Sequence, residues 1–380
     1  FTPELTCVVV DGDAAHRAAL AESWPAADLV VTSYDLLRRD EALYEGQEFY
    51  ACILDEAQAI KNHTTQKYKA VCKVRSRVRF ALTGTPVENR LGELWSIFSF
   101  LMPGYLPPYK SFCSRFEKPI VQEENQTAVR RLNQLTGPFI LRRMKADVLK
   151  ELPPKTENVY RIELEEEQRK LYLAAVVDAR EKLRAAKPED KMAVFAVLMR
   201  LREICWEGGS AKLDACVELI SGAVEGGHRI LLFSQFTSML ELLAKRLDAE
   251  GISHFTLQGS TPKPVRAELV RRFNGGEVSV FLISLRAGGT GLNLTAADIV
   301  IHYDPWWNVA AQNQATDRAY RIGQQNPVQV YKLIAQDTIE EKIVELQQAK
   351  QSLADTVTGT ADGAILSMRP DELLQLLEGS

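Results

Sequence analysis

The chain has 380 residues, a formal net charge of -4, 46% hydrophobic residues and 25% charged residues, which is typical of globular proteins with two or three domains. No apolar run approaches the roughly 20 residues of a membrane-spanning helix, and for that reason we expect no membrane partner. The small acidic charge excludes a strongly basic nucleic-acid binder. The six cysteines form no Cys-x-x-Cys pair, so we expect reduced core thiols, no zinc and a cytoplasmic protein.

Four short apolar runs alternate with helical patterns in the first hundred residues. They predict strands over residues 6–10, 29–31, 50–54 and 78–82. Strands that alternate with helices form mostly parallel sheets, and strands buried on both faces are continuously apolar, as these are. An α/β unit is therefore predicted here.

The middle of the chain is predicted to be helical. Amphipathic patterns cover residues 91–152, broken by Pro-Gly and Pro-Pro pairs, and a stiff connector is expected at Leu152-Pro153-Pro154-Lys155. A long helical stretch follows over residues 165–206.

A second α/β unit is predicted from about Lys212 onward. Its predicted strands are residues 230–233, 278–283, 299–303 and 328–334, and its predicted helices are 237–250, 262–273 and 310–320. Two more helices are expected at residues 338–353 and 370–377.

Two carboxylates follow the predicted strand 50–54. Asp55 and Glu56 emerge at its carboxyl end, where ligands bind to open α/β sheets. One carboxylate there can hold Mg²⁺ through water, and the next can polarise an attacking water. Alternatively, the pair begins a helix, whose dipole favours acidic residues. The polar residues that follow, Gln58 among them, favour a site.

Two hydroxyls and a glycine follow the predicted strand 78–82. This segment, Thr83, Gly84 and Thr85, can contact a phosphate or a metal ion and couple that contact to the conformation of the rest of the unit. The alternative is a plain turn in which Thr85 caps the next helix, and both interpretations can hold together.

Glycines and tryptophans mark two loops of the second α/β unit. Gly288, Gly289 and Gly291 permit positive φ and close approach of a phosphate or a DNA backbone, although a tight turn would use them equally well. Trp306 and Trp307 are adjacent and would point in different directions, so we expect one to contact nucleic acid and the other to pack in the core.

Two arginines lie at the C-terminal end of the predicted helix 310–320. Arg318 and Arg321 are three residues apart and would share one face. Their planar donor forks suit the γ-phosphate of a nucleotide. A salt-bridged surface involving Asp317 is the alternative.

Taken together, these segments resemble the ATPase engine of the Swi/Snf-type family, the helicase-like DNA translocases of superfamily two. The resemblance covers nearly the whole chain, and its C-terminal half is similar to the stand-alone bacterial members. The matching segments are Val31-Thr32-Ser33-Tyr34, Leu54-Asp55-Glu56-Ala57-Gln58, Leu82-Thr83-Gly84-Thr85-Pro86, Leu141-Arg142-Arg143, Leu232-Phe233-Ser234-Gln235-Phe236, Asp304-Pro305-Trp306-Trp307-Asn308 and Asp317-Arg318 through Arg321-Ile322-Gly323-Gln324.

The resemblance implies two RecA-like lobes with parallel sheets, with ATP and Mg²⁺ in the cleft and double-stranded DNA crossing both lobes. Asp55 would serve Mg²⁺, Glu56 would activate water, and Arg318 and Arg321 would complete the site from the second lobe. The remaining implied roles are nucleotide binding for Gln58, Gly289 and Gln324, coupling for Thr83, Gly84 and Thr85, and DNA binding for Thr32, Ser33, Arg286, Gly288 and Trp306.

The domain boundaries follow from the same resemblance. Residues 1–103 would be the C-terminal part of the ATP-binding lobe, 104–210 a helical protrusion and linker, 211–365 the helicase C-terminal lobe, and 366–380 a tail helix. The family's phosphate-binding loop contains Gly-Lys, a dipeptide absent from this sequence, which also lacks an initiator methionine. We therefore expect a fragment with an incomplete first lobe that is inactive in isolation.

The function implied is that of a DNA-dependent ATPase that translocates on double-stranded DNA in the bacterial nucleoid and remodels protein–DNA complexes. DNA-bound proteins, RNA polymerase among them, are candidate targets. The alternative is a non-catalytic DNA-binding or scaffolding module. Intact Glu56, Arg318 and Arg321 argue against that alternative for the parent protein.

Overall fold

The computed structural model describes residues 2–84, 91–123, 125–143, 145–187, 190–205, 210–288, 291–306, 309–347 and 370–378. They divide into two compact units with a boundary between Leu141 and Arg142. Within these described ranges, no helix has both the length and the apolar character needed to cross a bilayer. The domain boundaries inferred from the sequence at residues 103, 210 and 365 stay predictions.

The first unit contains two parallel strand pairs. Strand β1 (Cys7–Val9) pairs with β2 (Leu29–Val31), and β3 (Glu48–Leu54) pairs with β4 (Arg75–Ala81). The four predicted strands are confirmed, although β3 and β4 begin before the predicted residues 50 and 78.

Helices of the first unit begin where short polar side chains satisfy free backbone amides. Ser33 accepts from the Leu36 amide, and Thr65 accepts from the Tyr68 amide, as N-cap residues do. The helices are α1 (Ala14–Glu22), α2 (Tyr34–Arg39), α3 (Glu41–Tyr44), α4 (Gln66–Lys73), α5 (Leu91–Leu101), α6 (Tyr109–Phe112), α7 (Lys118–Glu123) and α8 (Gln126–Thr136), with a π-helical turn at Cys113–Glu117 and 3-10 turns at Trp24–Ala26, Ala57–Ile60 and Gly137–Phe139.

Each strand pair packs one face on a core that includes Trp24, Tyr44 and Ile60. The opposite face is apolar and exposed: Ile53 and Phe80, which lie opposite each other on β3 and β4, are 58% and 53% exposed. The first unit therefore has little burial on one side of its sheets. A separate cluster built from α5 to α8 forms the predicted helical region.

The second unit is built on a six-stranded parallel sheet in the order β5-β10-β9-β6-β8-β7. Its central strands consist mainly of Val, Ile, Leu and Phe and are fully buried, as parallel strands covered by helices on both faces must be. The strands are β5 (Lys155–Ile162), β6 (Ile230–Ser234), β7 (His254–Leu257), β8 (Val280–Ser284), β9 (Ile299–His302) and β10 (Val328–Ala335).

Four of these six strands were predicted and are confirmed, but the two edge strands were not predicted. β5 has the sequence Lys-Thr-Glu-Asn-Val-Tyr-Arg-Ile and is exposed over most of its length, so it lacks the apolar run of a buried strand. β7 has only four residues. Residues 104–210, predicted to form a helical protrusion and a linker, therefore also contribute the edge strand β5 to the second sheet.

Helices cover both faces of this sheet. The long helical stretch predicted over residues 165–206 is confirmed as two helices. The helices are α9 (Lys145–Val148), α10 (Glu166–Ala185), α11 (Lys191–Ile204), α12 (Ala211–Glu225), α13 (Thr237–Ala249), α14 (Lys263–Asn274), α15 (Leu285–Gly288), α16 (Val309–Thr316), α17 (residues 339–347) and α18 (Pro370–Glu378). The α/β fold class with parallel sheets is thus confirmed.

Candidate functional site

The carboxyl ends of β3 and β4 bring two of the sequence motifs to one edge of a sheet. The strands are parallel neighbours in register, and the Ala57 amide donates to the Leu82 carbonyl at 2.9 Å just beyond the strand ends. Asp55 and Glu56 therefore leave the sheet beside Thr83. This is the edge at which ligands bind in α/β folds.

Glu56 has a strained backbone. Its φ of 49° and ψ of 53° lie in the left-handed region, which residues with a Cβ avoid. Such a conformation costs about 1–3 kcal/mol and clusters at functional sites. Asp55 stabilises the turn locally, because its Oδ1 accepts from the Glu56 amide at 2.9 Å. The turn presents two exposed acidic residues.

Gln58 connects the two motifs through its side-chain amide. Its Nε2 donates to Glu56 Oε2 at 2.6 Å, and its Oε1 accepts from Thr83 Oγ1 at 2.8 Å. The sequence assigned these three residues to the site separately, and the structure brings them together. Gly84 follows Thr83 in open space, where an added Cβ would meet nothing within 4 Å.

Tyr34 reaches the acidic turn from the other side, a contact that the sequence analysis missed. Its hydroxyl donates to the Asp55 carbonyl at 2.7 Å. Burial raises the pKa of Tyr34, and the nearby Asp55 and Glu56 carboxylates raise it further. The only sequence signal for Tyr34 was its place directly after Thr32 and Ser33 in a matching segment.

Thr32 and Ser33, predicted to bind DNA, lie between β2 and α2. Thr32 is half-buried and Ser33 is exposed. The Ser33 hydroxyl accepts from the Leu36 amide at 3.3 Å, which fixes the first turn of α2. The turn that contains Thr32 and Ser33 therefore leads directly into the first turn of α2, which begins with Tyr34.

Asp304 organises the corresponding end of the sheet in the second unit. Its Oδ1 accepts from Ser234 Oγ at 2.6 Å, and its Oδ2 accepts from the Gln235 amide at 3.2 Å. Arg202 approaches Asp304 at 3.6 Å and donates to the Pro305 carbonyl at 2.7 Å. Burial raises the pKa of Asp304, and Arg202 opposes that rise. This buried network ties the ends of β6 and β9 together.

A second buried ion pair braces the same region. Lys212 Nζ lies 2.6 Å from Glu340 Oε2, and each residue is 1% exposed. The Lys212 ammonium also lies over the Tyr303 ring, 4.9 Å from its centroid. Because burying either charge alone is costly, this pair fixes α12 against α17.

The two predicted arginines do not lie on the helix expected over residues 310–320. Helix α16 ends at Thr316, and Arg318 and Arg321 lie in the turns that follow. The Arg318 carbonyl accepts from the Leu294 amide at 3.0 Å, which draws this peptide out of helical geometry. Gly323, with φ of 101°, then reverses the chain.

Contacts from several directions hold this arginine loop, defined as residues 317–324. Arg321 Nη1 donates to the Leu292 carbonyl at 3.1 Å. Lys145 Nζ lies 2.6 Å from Asp317 Oδ1 and donates to the Tyr320 carbonyl at 3.2 Å. Arg318 is largely buried, at 8% exposure. The loop therefore fixes the Arg321 guanidinium by a hydrogen bond and keeps Arg318 largely buried, although neither residue lies on a helix.

Gln324, predicted to contact the nucleotide, uses its side-chain amide for the backbone. Its Nε2 donates to the Ala297 carbonyl at 2.7 Å and the Ala319 carbonyl at 3.2 Å, while its Oε1 accepts from the amides of Gln325 and Asn326. This arrangement closes the arginine loop.

The remaining predicted site residues are only partly located. Arg286 and Gly288 lie in the short helix α15 directly after β8. Trp306 is half-buried and packs against two core clusters. Thr85 and Gly289 lie outside the described residues.

The donor set at the acidic turn suits Mg²⁺ better than a soft metal. Asp55 offers carboxylate oxygen, the ligand type that Mg²⁺ prefers, usually together with water. Among the described residues, no group of three or more His, Cys, Asp or Glu side chains could hold a metal ion by itself. A Mg²⁺ ion bound at Asp55 would therefore take water among its other ligands.

Two family models match the chain. The SNF2-related domain matches residues 1–209, and the helicase conserved C-terminal domain matches residues 211–323. Together they cover the acidic turn, the Asp304 network and most of the arginine loop.

The chain is also similar to bacterial proteins of known sequence. It is 37% identical to an uncharacterised ATP-dependent helicase of Mycoplasma genitalium, covering 100% of this chain and 37% of that protein. It is 38% identical to a putative ATP-dependent helicase/translocase of Bacillus subtilis, covering 99% of this chain and 43% of that protein. The chain thus spans less than half the length of these relatives.

A solved structure gives the same assignment. The SWI2/SNF2 ATPase core domain of Sulfolobus solfataricus is 34% identical, with a TM-score of 0.52, and the alignment covers 100% of this chain and 80% of that one.

Proposed function

Because the chain belongs to the SNF2-related family, we propose that the natural protein is an ATP-dependent translocase on double-stranded DNA that remodels protein–DNA complexes. The observation that carries this proposal is the strained Glu56 turn, whose carboxylate is linked through Gln58 to Thr83 at the ligand-binding edge of β3 and β4. The name of the Bacillus relative, a putative helicase/translocase, supports translocation.

The acidic turn supplies the groups that phosphoryl transfer to water requires. We assign Glu56 the role of accepting a proton from the attacking water, and its exposed position leaves room for that water. Asp55 would hold Mg²⁺ through water, and the ion would neutralise phosphate charge. Gln58 orients the Glu56 carboxylate, and Thr83 holds the other end of the Gln58 amide.

The second unit supplies cationic groups for the phosphates. We assign Arg318 and Arg321 to the developing charge on the γ-phosphate, where such an arginine contributes about 10³–10⁵ in kcat. Gln324 acts as a positioning residue, because its amide is committed to four backbone contacts that shape the arginine loop. Gly289 remains assigned to the nucleotide, and Thr85 with Gly84 to coupling.

DNA contact is assigned to the turns at the strand ends. In this proposal Thr32 and Ser33 in the first unit and Arg286, Gly288 and Trp306 in the second contact the sugar-phosphate backbone. Such contacts carry no sequence information, so duplex affinity should be indifferent to sequence and should fall linearly with salt on logarithmic axes. DNA-bound proteins are then the objects that translocation displaces.

The test is ATP hydrolysis by the full-length natural protein with and without linear duplex DNA. We expect duplex to stimulate the wild type, and Glu56→Gln to bind ATP but to lose at least about a hundredfold in kcat, the typical contribution of a general base. The matched control is Glu48→Gln, the same substitution at the exposed opposite end of β3.

Two outcomes would contradict the proposal. If Glu56→Gln hydrolyses ATP as fast as Glu48→Gln, then Glu56 does not activate water. Duplex binding by a wild type that hydrolyses no ATP would favour a non-catalytic DNA-binding or scaffolding module instead.

A further inference from the structure

The Tyr34 hydroxyl connects the Thr32-Ser33 turn to the strained acidic turn. We propose that Tyr34 is a positioning residue through which contact at that turn sets the conformation of the Asp55-Glu56 peptide and hence the activity of Glu56. This inference rests on the proposed function, in which DNA lies against Thr32 and Ser33 and Glu56 activates water.

Tyr34 is mechanically continuous with the turn that precedes it. Ser33 is the N-cap of α2, and Tyr34 is the first residue of that helix. Because the Ser33 hydroxyl accepts from the Leu36 amide, the turn and the first helical residues move together. A ligand that presses on the turn therefore displaces Tyr34.

Tyr34 also contacts the acidic turn directly. Its hydroxyl is 2.7 Å from the Asp55 carbonyl oxygen, and its ring packs against the core beneath the strand pairs. The Asp55 carbonyl belongs to the peptide group that precedes the Glu56 Cα. Its orientation is therefore coupled to the φ angle of 49° at Glu56.

A single hydrogen bond can decide the conformation of the strained Glu56 turn. A left-handed conformation persists in a residue with a Cβ only when its surroundings over-determine it. The surroundings of this turn include Tyr34 on one side and Gln58, itself bonded to Thr83, on the other. Removing the Tyr34 hydroxyl leaves the Asp55-Glu56 peptide group restrained by the Asp55 Oδ1 bond to the Glu56 amide, so the Asp55 carbonyl can rotate more easily.

The experiment removes that single oxygen in the full-length natural protein. We compare wild type, Tyr34→Phe and Tyr68→Phe for kcat with and without saturating linear duplex, and for duplex affinity. Tyr68 is the matched control, because it packs against the same core but donates its hydroxyl hydrogen bond to Ser99, at 2.9 Å.

Tyr34→Phe should lower the ratio of duplex-stimulated to basal kcat by about two- to tenfold, the factor that one neutral hydrogen bond carries. Duplex affinity should not change, and Tyr68→Phe should keep the wild-type ratio. An unchanged ratio in Tyr34→Phe overturns the inference, including the case in which both rates fall together, because that result would show a purely structural role.

Amide hydrogen exchange tests the role of Tyr34 independently of whether the proposed function is correct. In Tyr34→Phe, but not in Tyr68→Phe, the amides of Glu56 and Ala57 should exchange faster. If duplex does not stimulate the wild type, the proposed function fails, and this measurement still decides the role of Tyr34. Equal exchange at Glu56 and Ala57 in all three proteins would overturn it.

Discussion

His302 should make the stability of the second unit depend on pH. It ends β9, is 2% exposed and stacks on Phe233, with ring centroids 5.7 Å apart. Its Nε2 lies 2.8 Å from Thr316 Oγ1 at the end of α16, where the arginine loop begins. Burial lowers the pKa of His302 from 6.5 to about 3, and Lys332 adds to the decrease.

The sign of the effect follows from the direction of this shift. Below pH 6.5 the unfolded chain binds a proton at His302, whereas the folded protein does not bind it until the pH approaches 3. The contribution to stability is therefore complete above the unfolded pKa and is lost as the pH falls toward the folded pKa. At 1.36 kcal/mol per unit, the loss is about 2 kcal/mol between pH 6.5 and pH 5.

The assay is urea unfolding of wild type and His302→Gln at about pH 7 and about pH 5. Glutamine keeps a polar group near Thr316 but does not titrate. The wild type should lose about 2 kcal/mol of unfolding free energy relative to the variant between these two values. His16→Gln, a substitution of an exposed histidine in the first unit, controls for the exchange of residue type. If the unfolding free energies of wild type and His302→Gln changed equally with pH, the reasoning would be refuted.

Three further predictions concern stability and activity. Lys212→Met should lower the unfolding free energy by about 3–5 kcal/mol, because Glu340 would keep a buried charge without its partner. An unfolding free energy within about 0.5 kcal/mol of wild type, the range of a surface substitution, would contradict this. Amides of β8 and β9 should exchange far more slowly than those of β3, which belongs to a strand pair with one exposed apolar face; equal protection would show that the pair is as stable as the six-stranded sheet. The 380-residue chain alone should hydrolyse no ATP, with or without duplex, because it contains no Gly-Lys of a phosphate-binding loop; phosphate release stimulated by duplex would disprove this.

The buried network around Asp304 explains why this end of the second sheet is well defined. Ser234 and Arg202 both contact Asp304 or its neighbour, and they come from parts of the chain that are far apart in sequence. Buried polar groups are tolerated only when they are paired. The network therefore keeps the ends of β6 and β9 in one arrangement, which positions the Trp306 segment.

The sequence by itself determined the parallel α/β architecture and the order of the motifs. Buried parallel strands have continuous apolar runs, and residues 230–233 and 299–303 are such runs. The type of side chain at a strand end also indicated chemistry, so the sequence alone groups Asp55, Glu56 and Gln58. These signals are local, since each depends on a few neighbouring residues.

Only the tertiary structure decided the features that depend on contacts between distant residues. The edge strand β5 lacks an apolar run and is identified by its pairing with β10. Helix α16 ends at Thr316, before both arginines, and the Arg318 carbonyl accepts from the distant Leu294 amide instead of from a helical one. Tyr34 acquires its place in the site because its hydroxyl meets the Asp55 carbonyl, 21 residues away in sequence. Hydrogen bonds of this kind need specific distances and angles in space, and a periodic pattern along the chain does not encode them.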